Sequence, residues 1–175
     1  MARVPYLSSS EATGEVAKLL GQLEERGVSM RVLQAVSNSS GAARNFARLG
    51  SALIRFTKLD DRLRELVILH LSVELDAPYE WFEHEPIARG VGITDAELAS
   101  LRERNLDAAV FDDRDREVLR FAVLVVRHEV DDAAWARITA HLDTEEATDL
   151  VLSAAWWGGM VPALVAALQI EPPTA

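Results

Sequence analysis

Glu80 and His84 stand four residues apart in Tyr79 to Gly90, a stretch that reads as one helix, so the two side chains lie one turn apart on a single face. Histidine titrates near neutral pH and can both take and give a proton, while a neighbouring carboxylate fixes its tautomer and favours its charged form. The pair is a candidate general acid/base dyad. The same spacing also describes an ordinary surface ion pair worth tenths of a kcal/mol, and spacing alone favours that plainer reading. Glu65 is the third candidate for chemistry. It lies on a segment apolar on nearly every side, where it is either a buried carboxylate behind the site or half of an intersubunit ion pair with Arg62 or Arg64. Arg62 and Arg89 are candidates to hold a substrate carboxylate. Tyr79, Trp81, Trp156 and Trp157 either fill a core or interface or wall a pocket for a flat unsaturated ligand. His70, on the Leu63-Val67-Val73 stripe, reads as a core histidine, and His128 and His141 fall at helix ends. No metal site is expected: Glu83-His84-Glu85 are consecutive and point to different faces, and no second histidine falls at ligand spacing.

Two helices must position these groups. The first is Asp60 to Leu75, opened by aspartates that can cap its amides. Asp76-Ala77-Pro78 breaks it, with Pro78 tolerated as the first residue of the next helix and not inside the previous one. Before this pair, Ser8-Ser9-Ser10 with Glu11 suggests the start of a helix running to Gly27. Met30 to Val36 is a short helix, Ser37 to Gly41 a loop, and Phe46, Leu49, Leu53, Ile54 and Phe56 mark one apolar face of a helix ending near Lys58. After the pair, Thr94 with Glu97 forms a capping box for a short helix. Asp112 and Asp113 open a helix ending at Arg127 and His128, and Asp131 to His141 is another, with Trp135 and Ile138 inward. No alternating strand pattern runs for more than a few residues, so the expected fold is all-α.

The chain has 175 residues, no cysteine and a formal charge of −10. That length suits one domain with its own core. The acidity, without a basic cluster, argues against a nucleic-acid or anionic-membrane partner. The absence of thiols excludes disulfides and thiol catalysis and fits a cytoplasmic protein. No signal peptide is visible. Leu150 to Leu168 is uncharged and long enough to span a bilayer. Its acidic flanks and its interruption by Gly158-Gly159 and Pro162 favour instead a buried helix partly covered by another subunit.

Leu59-Asp60-Asp61-Arg62-Leu63-Arg64-Glu65-Leu66-Val67-Ile68, continued by Glu80-Trp81-Phe82-Glu83-His84 and Ala88-Arg89-Gly90-Val91-Gly92, resembles the carboxymuconolactone decarboxylase family, which includes the alkylhydroperoxidase D-like (AhpD-like) disulfide reductases. A weaker resemblance covers 44–170 and includes the run Trp156 to Val161. The resemblance implies an all-α, AhpD-like helical bundle assembled as a homo-oligomer, a trimer or hexamer, with the site near subunit boundaries. It divides the single domain 1–175 into an N-terminal helical extension, 1–40, and a family core, 41–170. The family's redox branch carries a glutamate, a Cys-x-x-Cys pair and a histidine at positions matching Glu65, Ala77, Glu80 and His84, so both thiols are missing here and thiolate exchange is impossible. The decarboxylating branch resembles this chain in pairing a glutamate at Glu80 with the histidine at His84. The resemblance favours a site at these positions and a small-molecule substrate, with no cofactor. The expected function is a lyase (decarboxylase) or isomerase acting on an unsaturated carboxylate or lactone, with catalytic His84, Glu80 and Glu65 and substrate-binding Arg62, Tyr79, Trp81, Arg89 and Trp156. The alternative is a non-catalytic oligomer of the same fold that binds a ligand or serves as a scaffold.

Overall fold

The computed structural model describes residues 1–28 and 30–172, and among them there are helices and turns but no strand. Their order is α1 (Gly14–Glu25), α2 (Arg31–Val36), α3 (Ser40–Arg55), α4 (Asp61–Glu74), α5 (Pro78–Gly90), α6 (Asp95–Arg102), α7 (Asp113–Arg127), α8 (Asp132–Ile138), α9 (Thr144–Ala155), a π-helical turn (Trp156–Met160) and α10 (Val161–Leu168). The all-α expectation holds. The chain forms two compact units: Met1–Arg55 with the residues from Ala163 on, and Phe56–Pro162.

In the first unit Val16, Leu20, Leu33 and Ala43 make a small core. The serine run does not start a helix. Ser8 bonds Glu11 through its amide and hydroxyl, Ser9 bonds Glu24, and α1 begins only at Gly14. The loop after α2 is also shorter than expected, because α3 already starts at Ser40. Of the five apolar residues assigned to one face of α3, Leu53 is buried and Phe46 packs on the core, whereas Leu49, Ile54 and Phe56 are exposed. The N-terminal segment is tied to the end of α10: the Arg3 amide donates to the Leu168 carbonyl at 2.9 Å and its guanidinium to the Ala167 carbonyl at 2.8 Å.

The second unit is built around α4. Leu66, Val67, Ile68, Leu69 and Leu71 are sealed from solvent, because α5, α6, α7, α9 and the π turn all pack on this one helix. A helix surrounded in this way can be apolar all round. The predicted punctuation is found where expected. Asp60 caps the Leu63 amide, Thr94 and Glu97 form a capping box, and Asp112 and Asp131 cap α7 and α8. Pro78 is the first residue of α5. The stop before it was less legible: Asp76 takes a left-handed φ of 48°, and Ala77 N–H bonds the Ser72 carbonyl at 2.8 Å, closing α4 with a motif that usually employs glycine. On α8, Ile138 is buried as expected, but Trp135, expected to point inward, is exposed, with its ring 6.1 Å from Phe121.

The helical run Thr144–Leu168 is long and apolar enough to cross a membrane by length and composition, with a mean hydropathy of 1.7. A core helix meets the same test, so it carries no membrane assignment. Only 33% of its most apolar window is buried, and Leu152 and Met160 stay 45% and 48% exposed. Apolar surface of this kind favours association with another copy. Light scattering at low micromolar concentration should therefore give the mass of a trimer or larger, and a monomer peak would show that these faces remain in water.

Candidate functional site

Glu65 sits in the middle of α4, 1% exposed, and accepts a hydrogen bond from His84 of α5, with Nδ1 to Oε2 at 2.8 Å. The short α4–α5 connection lays the two helices side by side, so a residue about three turns before the break meets one about two turns after it. With Glu65 as a carboxylate, which can only accept, Nδ1–H is the donor and Nε2 is the ring nitrogen left for another partner. Behind this pair, Arg64 Nε lies 3.5 Å from Glu65 Oε1, and Arg64 Nη1 donates to Asp61 at 2.8 Å. The row Asp61, Arg64, Glu65, His84 thus links surface to interior, with the Arg64 guanidinium between the two carboxylates. The Trp157 ring of the π turn meets the imidazole edge-on, with centroids 5.8 Å apart and planes at 81°.

Glu80 lies one turn before His84, 2% exposed, and its Oε1 has no hydrogen-bond partner. The expected Glu80–His84 dyad is therefore replaced by a Glu65–His84 hydrogen bond with Glu80 beside it. Burial pushes the Glu80 carboxyl up from 4.5 to about 7, with His84 opposing the rise and Glu83 adding to it. Near neutral pH it is thus divided between acid and carboxylate. Two glutamates near one histidine with such unlike surroundings are an arrangement suited to moving a proton.

The remaining candidates are placed elsewhere. Arg62 makes a two-pronged bond to Asp115, both contacts at 2.9 Å, and also bonds Glu97, so its charge is spent joining α4 to α6 and α7. These bonds raise its pKa. Arg89 is exposed and paired with Glu85 and Asp95. Trp81 donates to Glu85, and the Arg102 guanidinium lies 4.5 Å from its ring centroid. Tyr79 and Trp156 are buried. Trp81 also borders an open cleft of about 570 Å³ together with Ala77, Pro78, Arg102 and Arg104. Neither Glu80 nor His84 lines that cleft. Among the described residues no group of three or more His, Asp or Glu side chains could hold a metal ion. Trp157, named above as a possible pocket wall, meets His84, and Arg64, named as a possible ion-pair partner of Glu65, lies beside that carboxylate within the same chain. Spacing within α5 pointed to Glu80, and only the packing of α4 on α5 reveals Glu65 as the bonded partner.

A sequence profile of the carboxymuconolactone decarboxylase family matches residues 41–111. No curated protein sequence matches the chain. Solved structures match its fold. The chain is similar to an alkylhydroperoxidase AhpD core, an uncharacterized peroxidase-related protein from Ralstonia eutropha JMP134, with 20% identity and a TM-score of 0.85 over 98% of this chain and 92% of that one. It is similar also to an uncharacterized peroxidase-related protein from Silicibacter sp. TM1040, with 18% identity and a TM-score of 0.85 over 99% and 92%. A protein of unknown function from Agrobacterium tumefaciens matches with 15% identity and a TM-score of 0.71 over 80% and 96%.

The buried groups predict opposite pH dependences. Glu80 has a raised folded-state value, so its burial costs nothing below 4.5, where the unfolded carboxyl is also protonated, and costs most above about 7. Glu80→Gln should leave the melting temperature unchanged below pH 4.5 and raise stability progressively to pH 8, by up to about 3 kcal/mol. His70 is buried with both ring nitrogens unpartnered, and desolvation pushes its pKa down from 6.5 to about 4, aided by Arg104 and opposed by Glu74. Its contribution is intact above 6.5 and is lost as pH falls towards 4, so a His70→Gln variant should lose less stability over that acid range. Melts recorded across pH 4 to 8 test both signs.

Proposed function

Starting from a chain that carries the carboxymuconolactone decarboxylase family sequence over residues 41–111, in an AhpD-like fold and without cysteine, we propose that it is a cofactor-independent lyase or isomerase acting on a small unsaturated carboxylate or lactone. The observation that supports this most is the buried 2.8 Å Glu65–His84 hydrogen bond with the unpartnered Glu80 carboxyl one turn away. In a decarboxylation the C–C bond to the substrate carboxylate breaks, CO2 leaves, the bonding pair stays on the conjugated framework, and a carbon takes up a proton. His84 would deliver that proton from Nε2, with Glu65 stabilising the imidazolium. Glu80 in its acid form would donate a hydrogen bond to an oxygen on which charge develops. In an isomerisation Nε2 would first remove a proton from one carbon and return it to another.

Arg62 and Arg89 are paired with carboxylates, and so are Arg102 and Arg104 at the cleft, so a substrate anion would have to compete with Glu85, Glu74 or Asp76 for the cleft arginines. The second reading is a ligand-binding oligomer that has kept the fold and lost the chemistry. Its support is that Glu80 and His84 do not line the cleft.

Carboxylated unsaturated lactones and the matching open-chain dienoic acids, followed by CO2 release and ultraviolet absorbance, test the proposal. Turnover should fall by about 10²- to 10⁴-fold in His84→Gln, with a substantial loss also in Glu65→Gln. Tight binding of these compounds without turnover, unaltered in His84→Gln, would support the second reading. Peroxide consumption coupled to a dithiol donor should equal the protein-free control, because the chain has no thiol to form the mixed disulfide.

A further inference from the structure

The π turn after α9 is where the helix meets the site, and its sequence explains its form. Pro162 has no N–H to offer the carbonyl four residues back, that of Gly158, and its ring crowds that carbonyl in a regular helix. The chain widens instead, and the Val161 amide bonds the Trp156 carbonyl, five residues back. Single π turns of this kind recur at functional sites. Here the turn presses closely on its neighbours: a Cβ on Gly158 would lie 2.5 Å from Val126 Cγ1 and 2.8 Å from Leu71 Cδ1, whereas a Cβ on Gly159 would meet nothing within 4 Å. Leu71 is fully buried and Val126 is branched at Cβ, so neither yields freely. Two adjacent glycines thus face opposite conditions, and only the first is required by packing.

We propose that Trp157 is a positioning residue for His84, and that Gly158 sets its distance by letting the π turn close onto α4 and α7. The proposal rests on the reading of His84 as the proton-transferring group. Trp157 itself is 4% exposed and stands edge-on to the imidazole, next to the ring that Glu65 holds from the other helix. Glu65 fixes one nitrogen, and a bond at one atom leaves the ring free to rock about it. An indole packed edge-on against the imidazole restricts that rocking. Positioning of this order matters for proton transfer, which depends on geometry at the scale of tenths of an ångström.

The test uses the four histidines of the chain as internal standards. Diethyl pyrocarbonate acylates neutral imidazole nitrogen at a rate set by its accessibility, and peptide mapping by mass spectrometry reads each histidine separately. In the wild type, His84 should react more slowly than His128 and His141. Trp157→Leu and Gly158→Ala should accelerate His84 several-fold, Trp157→Phe should do so less, and Gly159→Ala should match the wild type. His70, buried in the same helix bundle, should stay slow throughout, which separates local opening at the site from general loosening. If His84 keeps its wild-type rate in Gly158→Ala and in whichever Trp157 variants fold, or if His70 accelerates in parallel with it, the positioning role is wrong. If the rates follow the expected order while His84→Gln leaves turnover and ligand-linked proton uptake unchanged, positioning stands and the catalytic reading of His84 falls.

Discussion

The Glu65–His84 hydrogen bond is the constraint on which the second unit depends. It places a carboxylate in the middle of the most deeply buried helix and joins it to the helix that follows. Buried ionisable pairs give little or no net stability compared with well-packed apolar residues of the same volume, while removing one partner leaves an uncompensated group at a cost of about 3–5 kcal/mol. Packing therefore does not explain why α4 carries Glu65 instead of another leucine. Arg64 and Asp61 continue the arrangement outwards, so that the interior carboxylate faces positive charge on one side and an imidazole on the other.

Glu80 shows the opposite solution to the same problem. It is as buried as Glu65 but has no donor at Oε1, and burial answers by favouring its protonated form. The contrast with Arg62 is informative. That guanidinium is satisfied by Asp115 and Glu97, a closed set of charges that fastens three helices and leaves nothing for a ligand. The satisfied Arg62 group holds helices together, whereas Glu80 Oε1 is left without a partner, although both lie in the stretch that carries the family resemblance.

Much of this was legible in the residues because the signals are local. Asp60, Thr94 with Glu97, Asp112, Asp131 and Pro78 act within a turn of their own position, and each marks a helix start in the structure. The helix ends near Leu75 and Arg127 were also placed, but not the backbone that closes them. Asp76, Arg104 and His128 adopt the left-handed conformation without being glycine, so the usual stop residue is missing from the sequence. The site was half legible. Four-residue spacing finds Glu80 and His84, but whether a histidine bonds the carboxylate on its own helix or one on the next is settled by tertiary packing. The exposed Leu49, Ile54 and Phe56 of the α3 region mark the same limit, since a periodic apolar face says that something covers it and not what.

The two positions that the resemblance aligns with the redox thiols have separate physical fates. Ala77 is the residue before α5 and borders the open cleft, where a reactive group could meet a partner. Glu80, one turn on, is closed off within the bundle. Thiol–disulfide exchange needs an attacking thiolate and access for its partner. An enclosed carboxyl beside an imidazole needs neither, and its protonation is set by the very burial that would hinder exchange. What the α4–α5 frame supplies here is a histidine fixed by a carboxylate from the neighbouring helix, with no thiol in the chain.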